Sequence, residues 1–151
     1  MAQEAGVTKP GLMYHFPNRE TLMVALVEHA AAKLVEKMVR LTDQSNATPS
    51  DRYRAYILSA ADGENTRAEW ALWFQSSYWP ELQAAWTRHL EPWLLLPDNM
   101  PPSRRARFAA ARLAADGLWA AQASGVLAPT ETDRELVVAQ LLELLDEGDP
   151  K

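Results

Sequence analysis

The sequence predicts an all-α protein, and two observations carry this prediction. Apolar residues recur every three to four positions along almost the whole chain, which is the spacing of one face of a helix. No stretch shows a sustained alternation of apolar and polar residues rich in Val, Ile and Thr, so we predict no β-sheet. The chain has 151 residues, of which 48% are hydrophobic, and a chain of this length can bury a substantial core.

The composition argues against several classes of protein. No apolar run approaches the roughly 20 residues that a membrane-spanning helix needs, and the first residues lack the basic and apolar regions of a secretory signal. The chain has no cysteine that could form a disulfide or a thiolate site. We therefore expect a cytoplasmic protein. Its net charge of −5 creates no overall attraction to nucleic acid, so DNA binding would have to depend on local chemistry.

The first long helix is predicted to begin after Asn18, a good capping residue, and to run to about Leu41. Apolar residues four positions apart form a stripe on this helix: Leu22, Leu26, Ala30, Leu34 and Met38. We expect this stripe to face the core and the opposite face to be polar.

Two capping patterns predict the next two helices. The segment 48–51 combines a capping threonine, a proline in the first helical position and a carboxylate in the first turn, and the Asp-Gly pair at 62–63 ends that helix. Thr66 with Glu69 forms a capping box for the following helix, which Pro80 interrupts.

Beyond Pro80 a further helix is indicated by apolar residues at helical spacing: Leu82, Trp86, Leu90 and Trp93. Pro92 should kink or end this helix near its close, because proline lacks an N–H group and crowds the preceding turn. Residues 97–102, which contain three prolines, are predicted to form a loop.

Two helices are predicted at the C-terminal end. The first spans residues 103–124 and is rich in alanine, and the second is opened by Thr132 and Glu135 and reaches about Glu147. The apolar residues of the second helix cover more than one of its faces. Both helices therefore have wide apolar surfaces to bury.

The N-terminal residues 2–16 have the pattern of a helix-turn-helix. Gly6 permits the turn, and Thr8 can cap the second helix. Leu12 and Phe16 lie one turn apart and can anchor that helix inward. The residues that remain on its outer side are suited to a DNA groove and to phosphate: Lys9, Pro10, Gly11, Tyr14 and His15.

Arg19 suggests a contact with the phosphate backbone. A cation in the first turn of a helix opposes the helix dipole and is mildly unfavourable there, but a bound phosphate reverses that effect. Arg19 and the amides after Asn18 could together hold a phosphate. The alternative is that Arg19 is simply solvated.

The segment AGVTKPGLMYHFPNRETLMVALVEH, residues 5–29, resembles the helix-turn-helix and following helix of TetR-type transcriptional regulators. The resemblance implies that a set of side chains meets DNA: Thr8, Lys9, Pro10, Gly11, Tyr14 and His15. Arg19 stands where the family usually has lysine, and Met13 replaces the commoner tyrosine. The implied organisation is a partial DNA-binding headpiece at residues 1–45 and a ligand-binding and dimerisation domain at residues 46–151.

The family places a complete helix before this motif, whereas Met1 falls inside the motif's own first helix. We therefore expect an N-terminally truncated motif. Three explanations stay open: a start codon assigned too far downstream, a deliberately shortened chain, or a natural truncation that no longer binds DNA.

The middle of the chain is rich in aromatic residues. In TetR-like proteins the helices after the headpiece enclose an effector cavity, so the resemblance implies a group of ligand-binding candidates: Trp70, Trp73, Phe74, Tyr78, Trp86, His89 and Trp93. Aromatic walls suit flat hydrophobic molecules or cations. The alternative is that these rings only fill the core.

The segment RLAADGLW, residues 112–119, resembles the penultimate helix of many such regulators. The resemblance implies a homodimer formed by the last two helices of each subunit, with seven candidate interface residues: Ala114, Gly117, Leu118, Ala121, Val137, Leu141 and Leu144. Two headpieces related by a two-fold axis would bind a palindromic operator. The alternative is that both helices are buried within a monomer.

Together these features predict a DNA-binding transcriptional regulator, specifically a repressor released by a small hydrophobic or cationic effector. The alternative is a truncated TetR-like ligand-binding and dimerisation protein that no longer binds DNA. We expect no enzymatic activity, no cofactor and no metal site. The three histidines are scattered along the sequence, and the chain has neither a phosphate-binding loop nor a nucleophile elbow.

Overall fold

A computed structural model describes Tyr14, residues 16–43 and residues 46–146. These described residues form six α-helices and no strand, which confirms the prediction of an all-α fold. The helices are α1 (Arg19–Arg40), α2 (Pro49–Ala61), α3 (Arg67–Gln75), α4 (Pro80–Leu94), α5 (Pro102–Ser124) and α6 (Glu131–Asp146). None of the described helices has the combination of length and hydropathy needed to cross a lipid bilayer.

The predicted helix starts of α1, α2 and α3 are confirmed at the level of hydrogen bonds. The side chain of Asn18 accepts a hydrogen bond from the Thr21 amide at 2.8 Å. Thr48 and Thr66 each form a reciprocal capping box with the acidic residue three positions later. Each of these side chains satisfies an amide that the helix leaves without an internal acceptor.

The start of α6 differs from the prediction. Thr130, and not Thr132, accepts a hydrogen bond from the amide three positions ahead, that of Asp133, at 3.2 Å. The Thr130 hydroxyl also donates to the Asp133 carboxylate at 2.7 Å. The sequence contains two overlapping threonine-acid patterns here, and the earlier one caps the helix.

The other boundaries lie close to those predicted. Helix α4 ends at Leu94, two residues beyond Pro92. Helix α5 begins at Pro102, one residue before its predicted start, and ends at Ser124. Gly125 caps it, and the φ of 76° at Gly125 is a left-handed conformation that suits glycine.

The buried face of α1 is displaced from the predicted stripe. The most buried apolar residues of α1 are Met23, Val27, Ala30, Ala31 and Met38, whereas Leu22, Leu26 and Leu34 are only half-buried. A spacing of four drifts by about 40° at each step around a helix of 3.6 residues per turn, so a strict stripe cannot stay on one face. Contacts with α2, α3 and α4 decide which side is buried.

Two clusters of buried residues form the core. The first joins the end of α1 with α2, α5 and α6, and it includes Met38, Tyr56 and Phe108. The second joins α1 with α4 and the end of α5, and it includes Val27 and Trp86. Leu34 of α1 packs against both clusters, so α1 runs along the junction between them.

Candidate ligand-binding site

A small cavity lies where the two core clusters meet. Helix α1 contributes one wall, with Ala30, Lys33, Leu34 and Lys37. The remaining wall comes from α2, the following loop, α3, α4 and α5: Tyr56, Ala60, Asn65, Glu69, Trp86 and Trp119. We call this space the inner cavity. Its volume is about 10 Å³, which is room for about one water molecule.

The charged groups of the inner cavity are paired with one another or with neighbouring residues. Lys33 donates to Glu69 at 2.9 Å, and this hydrogen bond raises the pKa of the Lys33 amine. Lys37 is only 5% exposed and pairs with Asp62 at 2.7 Å. Burial raises the pKa of the Glu69 carboxyl, but the hydrogen bonds from Lys33 and Thr66 outweigh burial and hold the pKa below its ordinary value. Glu69 and Lys33 therefore stay charged near neutral pH.

Two buried indoles in the wall of the inner cavity have an unused donor. Trp86 is 4% exposed and Trp119 is 5% exposed. Among the described residues, neither indole N–H finds a hydrogen-bond acceptor. Buried polar groups are normally hydrogen-bonded, so these two donors mark a place where an acceptor would be stabilising.

A larger groove lies on the other side of Trp86. This outer groove has a volume of about 490 Å³, which is within the range of small-molecule sites. Its walls come from α3, the α3–α4 connection, α4 and α5: Trp73, Ser76, Ser77, Gln83, Trp86, Thr87, Leu90, Glu91, Leu94 and Arg112. Trp86 is thus the shared wall of the inner cavity and the outer groove.

The aromatic side chains form a continuous series of ring contacts from the surface to this shared wall. Tyr78 and Phe74 are exposed and lie 6.0 Å apart between ring centroids. Phe74 contacts Trp70 at 6.2 Å, and Trp70 meets Trp119 edge to face at 6.0 Å. Trp73 then lies between Trp119 and Trp86, at 5.8 Å and 5.1 Å from their ring centroids.

The seven predicted ligand residues separate into three groups. Trp73 and Trp86 line the outer groove, and Trp86 also lines the inner cavity. Trp70, Phe74 and Tyr78 belong to the aromatic series but line neither space.

His89 and Trp93 are placed elsewhere. The His89 ring donates a hydrogen bond to the carboxylate of Glu28 on α1, which also accepts one from Arg88. Trp93 packs against the first core cluster. The family resemblance implied all seven residues, and only the packing of α3, α4 and α5 separates them.

Several residues of the site were missed from the sequence. Trp119 lies on α5, far from the aromatic-rich segment, and no local pattern links it to Trp86. No role was predicted for Lys33 and Lys37, although their spacing of four places both on one face of α1. Arg112 lines the outer groove and donates to Asp116 at 2.7 Å.

Of the predicted DNA-contacting residues, Thr8, Lys9, Pro10, Gly11 and His15 lie outside the described residues. Tyr14 is helical and 85% exposed. Arg19 is exposed in the first turn of α1. The interpretation of residues 2–16 as a helix-turn-helix therefore stays a prediction.

The predicted interface residues also separate by exposure. Ala114, Gly117 and Val137 are exposed, and Ala121 and Leu144 are half-buried. A Cβ atom built on Gly117 would meet nothing within 4 Å.

Leu118 and Leu141, in contrast, are each 6% exposed and contribute to the core of the subunit. Both residues lie on the inner side of their helices, where α5 and α6 pack against α2 and against each other. They are therefore removed from the candidate contact surface. Two exposed leucines that the prediction omitted lie on the outer surface of these helices: Leu113 and Leu136.

Within the described part of the chain, no group of three or more histidine, aspartate or glutamate side chains is arranged to hold a metal ion. A family model described as "Tetracyclin repressor-like, C-terminal domain" matches residues 50–146, which is more than half of the chain. No curated protein matches the chain. The matched segment contains α2 to α6 and hence most of the walls of the inner cavity and the outer groove.

Proposed function

Because the chain belongs to the TetR family, we propose that it is a repressor that binds operator DNA as a homodimer and releases it when a small molecule binds between its helices. The observation that carries this proposal is that α1 forms a wall of the inner cavity. The same helix, Arg19–Arg40, is part of the proposed headpiece, residues 1–45. A molecule that changes the cavity therefore acts directly on the helix that positions the headpiece.

Ion pairs and hydrogen bonds tie α1 to the elements around the site. Lys33 reaches Glu69 on α3, and Lys37 reaches Asp62 at the end of α2. Further toward the headpiece, Glu28 joins α1 to Arg88 and His89 of α4. A shift of α3 or α4 on effector binding would pull on α1 through these contacts. Such a shift would favour dimers whose headpieces are wrongly spaced for two successive major grooves.

The proposed dimer surface is the outer side of α5 and α6. On α5, small or apolar side chains recur at helical spacing and are exposed: Ala106, Ala110, Leu113, Ala114 and Gly117. On the neighbouring α6, Leu136 is 62% exposed and Val137 is 37% exposed. A surface of small residues flanked by leucine and valine suits close packing with the same surface of a second copy.

The test of this proposal is a measurement of binding to the DNA that flanks the gene, made at several salt concentrations. Two proteins are compared: the 151-residue chain, and the same chain extended by the codons upstream of Met1. We expect sequence-specific binding that weakens steeply with salt. Lys9→Ala and Arg19→Ala should each remove one phosphate contact, so the slope of log binding constant against log salt concentration should fall in magnitude by about one. Arg40→Ala, at the far end of α1, is the matched control and should have no effect.

If neither chain binds DNA specifically but both dimerise, the proposal fails. That outcome would favour the second candidate function, a ligand-binding and dimerisation protein without DNA recognition.

A further inference from the structure

The walls of the inner cavity contain unused hydrogen-bond donors and no unused acceptor among the described side chains. One carboxylate oxygen of Glu69 accepts from Lys33 at 2.9 Å, and the other accepts from the Thr66 amide at 2.6 Å. The groups without a partner are the two indole N–H groups of Trp86 and Trp119.

The remaining polar groups of the wall are also engaged. The Asn65 amide donates to the carbonyl oxygens of Ser59 and Ala60 at 2.9 Å and 3.1 Å. The Tyr56 hydroxyl donates to Asp116. A molecule that enters this space is therefore recognised by its hydrogen-bond acceptors, because each buried donor that stays unpaired opposes binding.

The charges and the donors around the inner cavity favour an uncharged ligand. Lys33 and Lys37 pair with three carboxylates, so these five groups together carry a formal charge of −1 and oppose an anionic ligand. An ammonium ligand offers only donors, and the unpaired groups of this wall are themselves donors. In the outer groove Glu91 and Arg112 carry opposite charges, so the groove adds no net preference.

The two spaces together set the size of the ligand. The inner cavity alone holds about one water molecule, whereas the outer groove, at about 490 Å³, can hold an aromatic or alicyclic molecule. Trp86 separates the two spaces, and its ring packs at a steep angle against that of Trp73, with 5.1 Å between the ring centroids. A ligand in the groove that turns the Trp86 ring could place one polar atom in the inner cavity.

We propose that the effector is an uncharged aromatic or alicyclic compound whose carbonyl-type oxygen accepts hydrogen bonds from the indoles of Trp86 and Trp119. This proposal rests on the proposed function, since it names the chemistry of the effector that the regulator would sense. Of the two kinds of effector expected from the sequence, hydrophobic or cationic, this proposal keeps the hydrophobic kind.

Three probes with one carbon skeleton test this proposal on the DNA-free protein. Acetophenone offers a carbonyl oxygen, ethylbenzene offers no polar atom, and 1-phenylethylammonium offers a positive charge with donors. Binding is followed by the indole N–H resonances in nitrogen-15 NMR spectra, which Trp→Phe variants assign. We expect acetophenone to bind more tightly than either other probe and to shift the resonances of Trp86 and Trp119 but not that of Trp93.

Removing either donor should weaken acetophenone selectively. Trp86→Phe and Trp119→Phe should each lower the affinity for acetophenone relative to that for ethylbenzene by about 2- to 10-fold, which is the range of one neutral hydrogen bond. Trp93→Phe is the matched control, because Trp93 packs against the first core cluster. If a phenylalanine variant does not fold, the resonance shifts in the unmodified protein decide the question.

The proposal is overturned if ethylbenzene binds as tightly as acetophenone, if the ammonium probe binds most tightly, or if acetophenone shows no saturable binding. These measurements contain no DNA. Failure of the repressor proposal in the DNA-binding test is therefore distinguishable from failure of the ligand chemistry proposed here.

Discussion

Tyr56 and Asp116 form a buried polar link between α2 and α5. Tyr56 is 1% exposed and donates its hydroxyl hydrogen bond to Asp116, which also accepts from Arg112. Burial raises the pKa of the Tyr56 hydroxyl well above its ordinary value, and burial also raises the pKa of the Asp116 carboxyl. Because Tyr56 lines the inner cavity and Arg112 lines the outer groove, this link spans both parts of the site.

Tyr56→Phe should lower the free energy of unfolding by about 1–3 kcal/mol, because it leaves a buried carboxylate with one donor fewer. The Tyr56 hydrogen bond lowers the pKa of Asp116, so its loss should raise that pKa further. Above the ordinary aspartate pKa of 3.8, Asp116 ionises more readily in the unfolded chain than in the folded one. The variant therefore loses more stability as the pH rises above this value. The variant should therefore lose more stability at neutral pH than in acid, as measured by urea unfolding.

The control for this change is Tyr78→Phe, at a side chain that is 70% exposed. Substitutions at such surface positions usually change stability by no more than about 0.5 kcal/mol. Equal losses in the two variants would contradict the role assigned to the buried hydroxyl.

Glu28 supplies the acid-sensitive contact between α1 and α4. The hydrogen bond from His89, aided by Arg88 and opposed by burial, holds the pKa of the Glu28 carboxyl below its ordinary value of 4.5. A carboxyl with a lowered folded-state pKa contributes stability that is present above the ordinary value and is lost as the pH falls through the folded-state value. Glu28→Gln should therefore flatten the fall in stability between about pH 5 and pH 3.

The measurement is the free energy of unfolding at closely spaced pH values. Glu36→Gln is the matched control, since Glu36 is an exposed carboxylate on the same helix. Identical pH profiles for both variants would show that Glu28 contributes no particular acid sensitivity.

At the scale of single helices, stability depends on caps as well as on burial. Helix α3 has nine residues and none of them is fully buried, so its capping box at Thr66 and Glu69 is a large part of what holds its first turn. The Arg67 side chain adds a tie to α5 by donating to the carbonyl oxygen of Ala123 at 3.1 Å. A weakly held α3 beside the outer groove suits an element that shifts on ligand binding.

The start of α6 provides a direct test of which threonine acts as the cap. Thr130→Ala should cost about 0.5–2 kcal/mol, because it removes the acceptor for the Asp133 amide. Thr132→Ala should cost little, since Thr132 is an exposed residue inside the first turn. Thermal unfolding of the two variants measures the difference, and a larger loss for Thr132→Ala would restore the start predicted from the sequence.

At the scale of the whole molecule, α1 joins the candidate ligand site to the proposed headpiece. It packs against α2, α3 and α4 and lies along the junction of the two core clusters. Its first turn carries the exposed Arg19, and its second half lines the inner cavity. A change at the cavity can therefore reach Arg19, in the proposed headpiece, through one continuous helix.

Leu136→Lys should shift the chain from dimer to monomer, because it places a charge in the middle of the proposed contact surface. Leu95→Lys is the matched control, since Leu95 is 64% exposed, close to the 62% of Leu136, but lies outside α5 and α6. Sedimentation equilibrium measures the mass of each variant, and circular dichroism confirms that both remain helical. Dissociation by Leu95→Lys with none by Leu136→Lys would place the interface elsewhere.

Much of the fold is predictable from the sequence because its signals are local. The caps at Asn18, Thr48 and Thr66 depend on groups within three residues of each other, so short patterns identify them correctly. Periodicity likewise distinguishes helix from strand over a single turn or two. The site is less predictable, since only Trp73 and Trp86 of the seven ligand candidates line it.

The sequence by itself determined the helices, most of their boundaries and the family to which the chain is assigned. Tertiary structure alone decided that Lys37 is buried beside Asp62, that Leu118 belongs to the core, and that Trp119 faces the same cavity as Trp86. The physical reason is the distance along the chain over which each feature is decided. A cap or a helical period depends on neighbouring residues, whereas burial and ion pairing depend on which distant helices pack together.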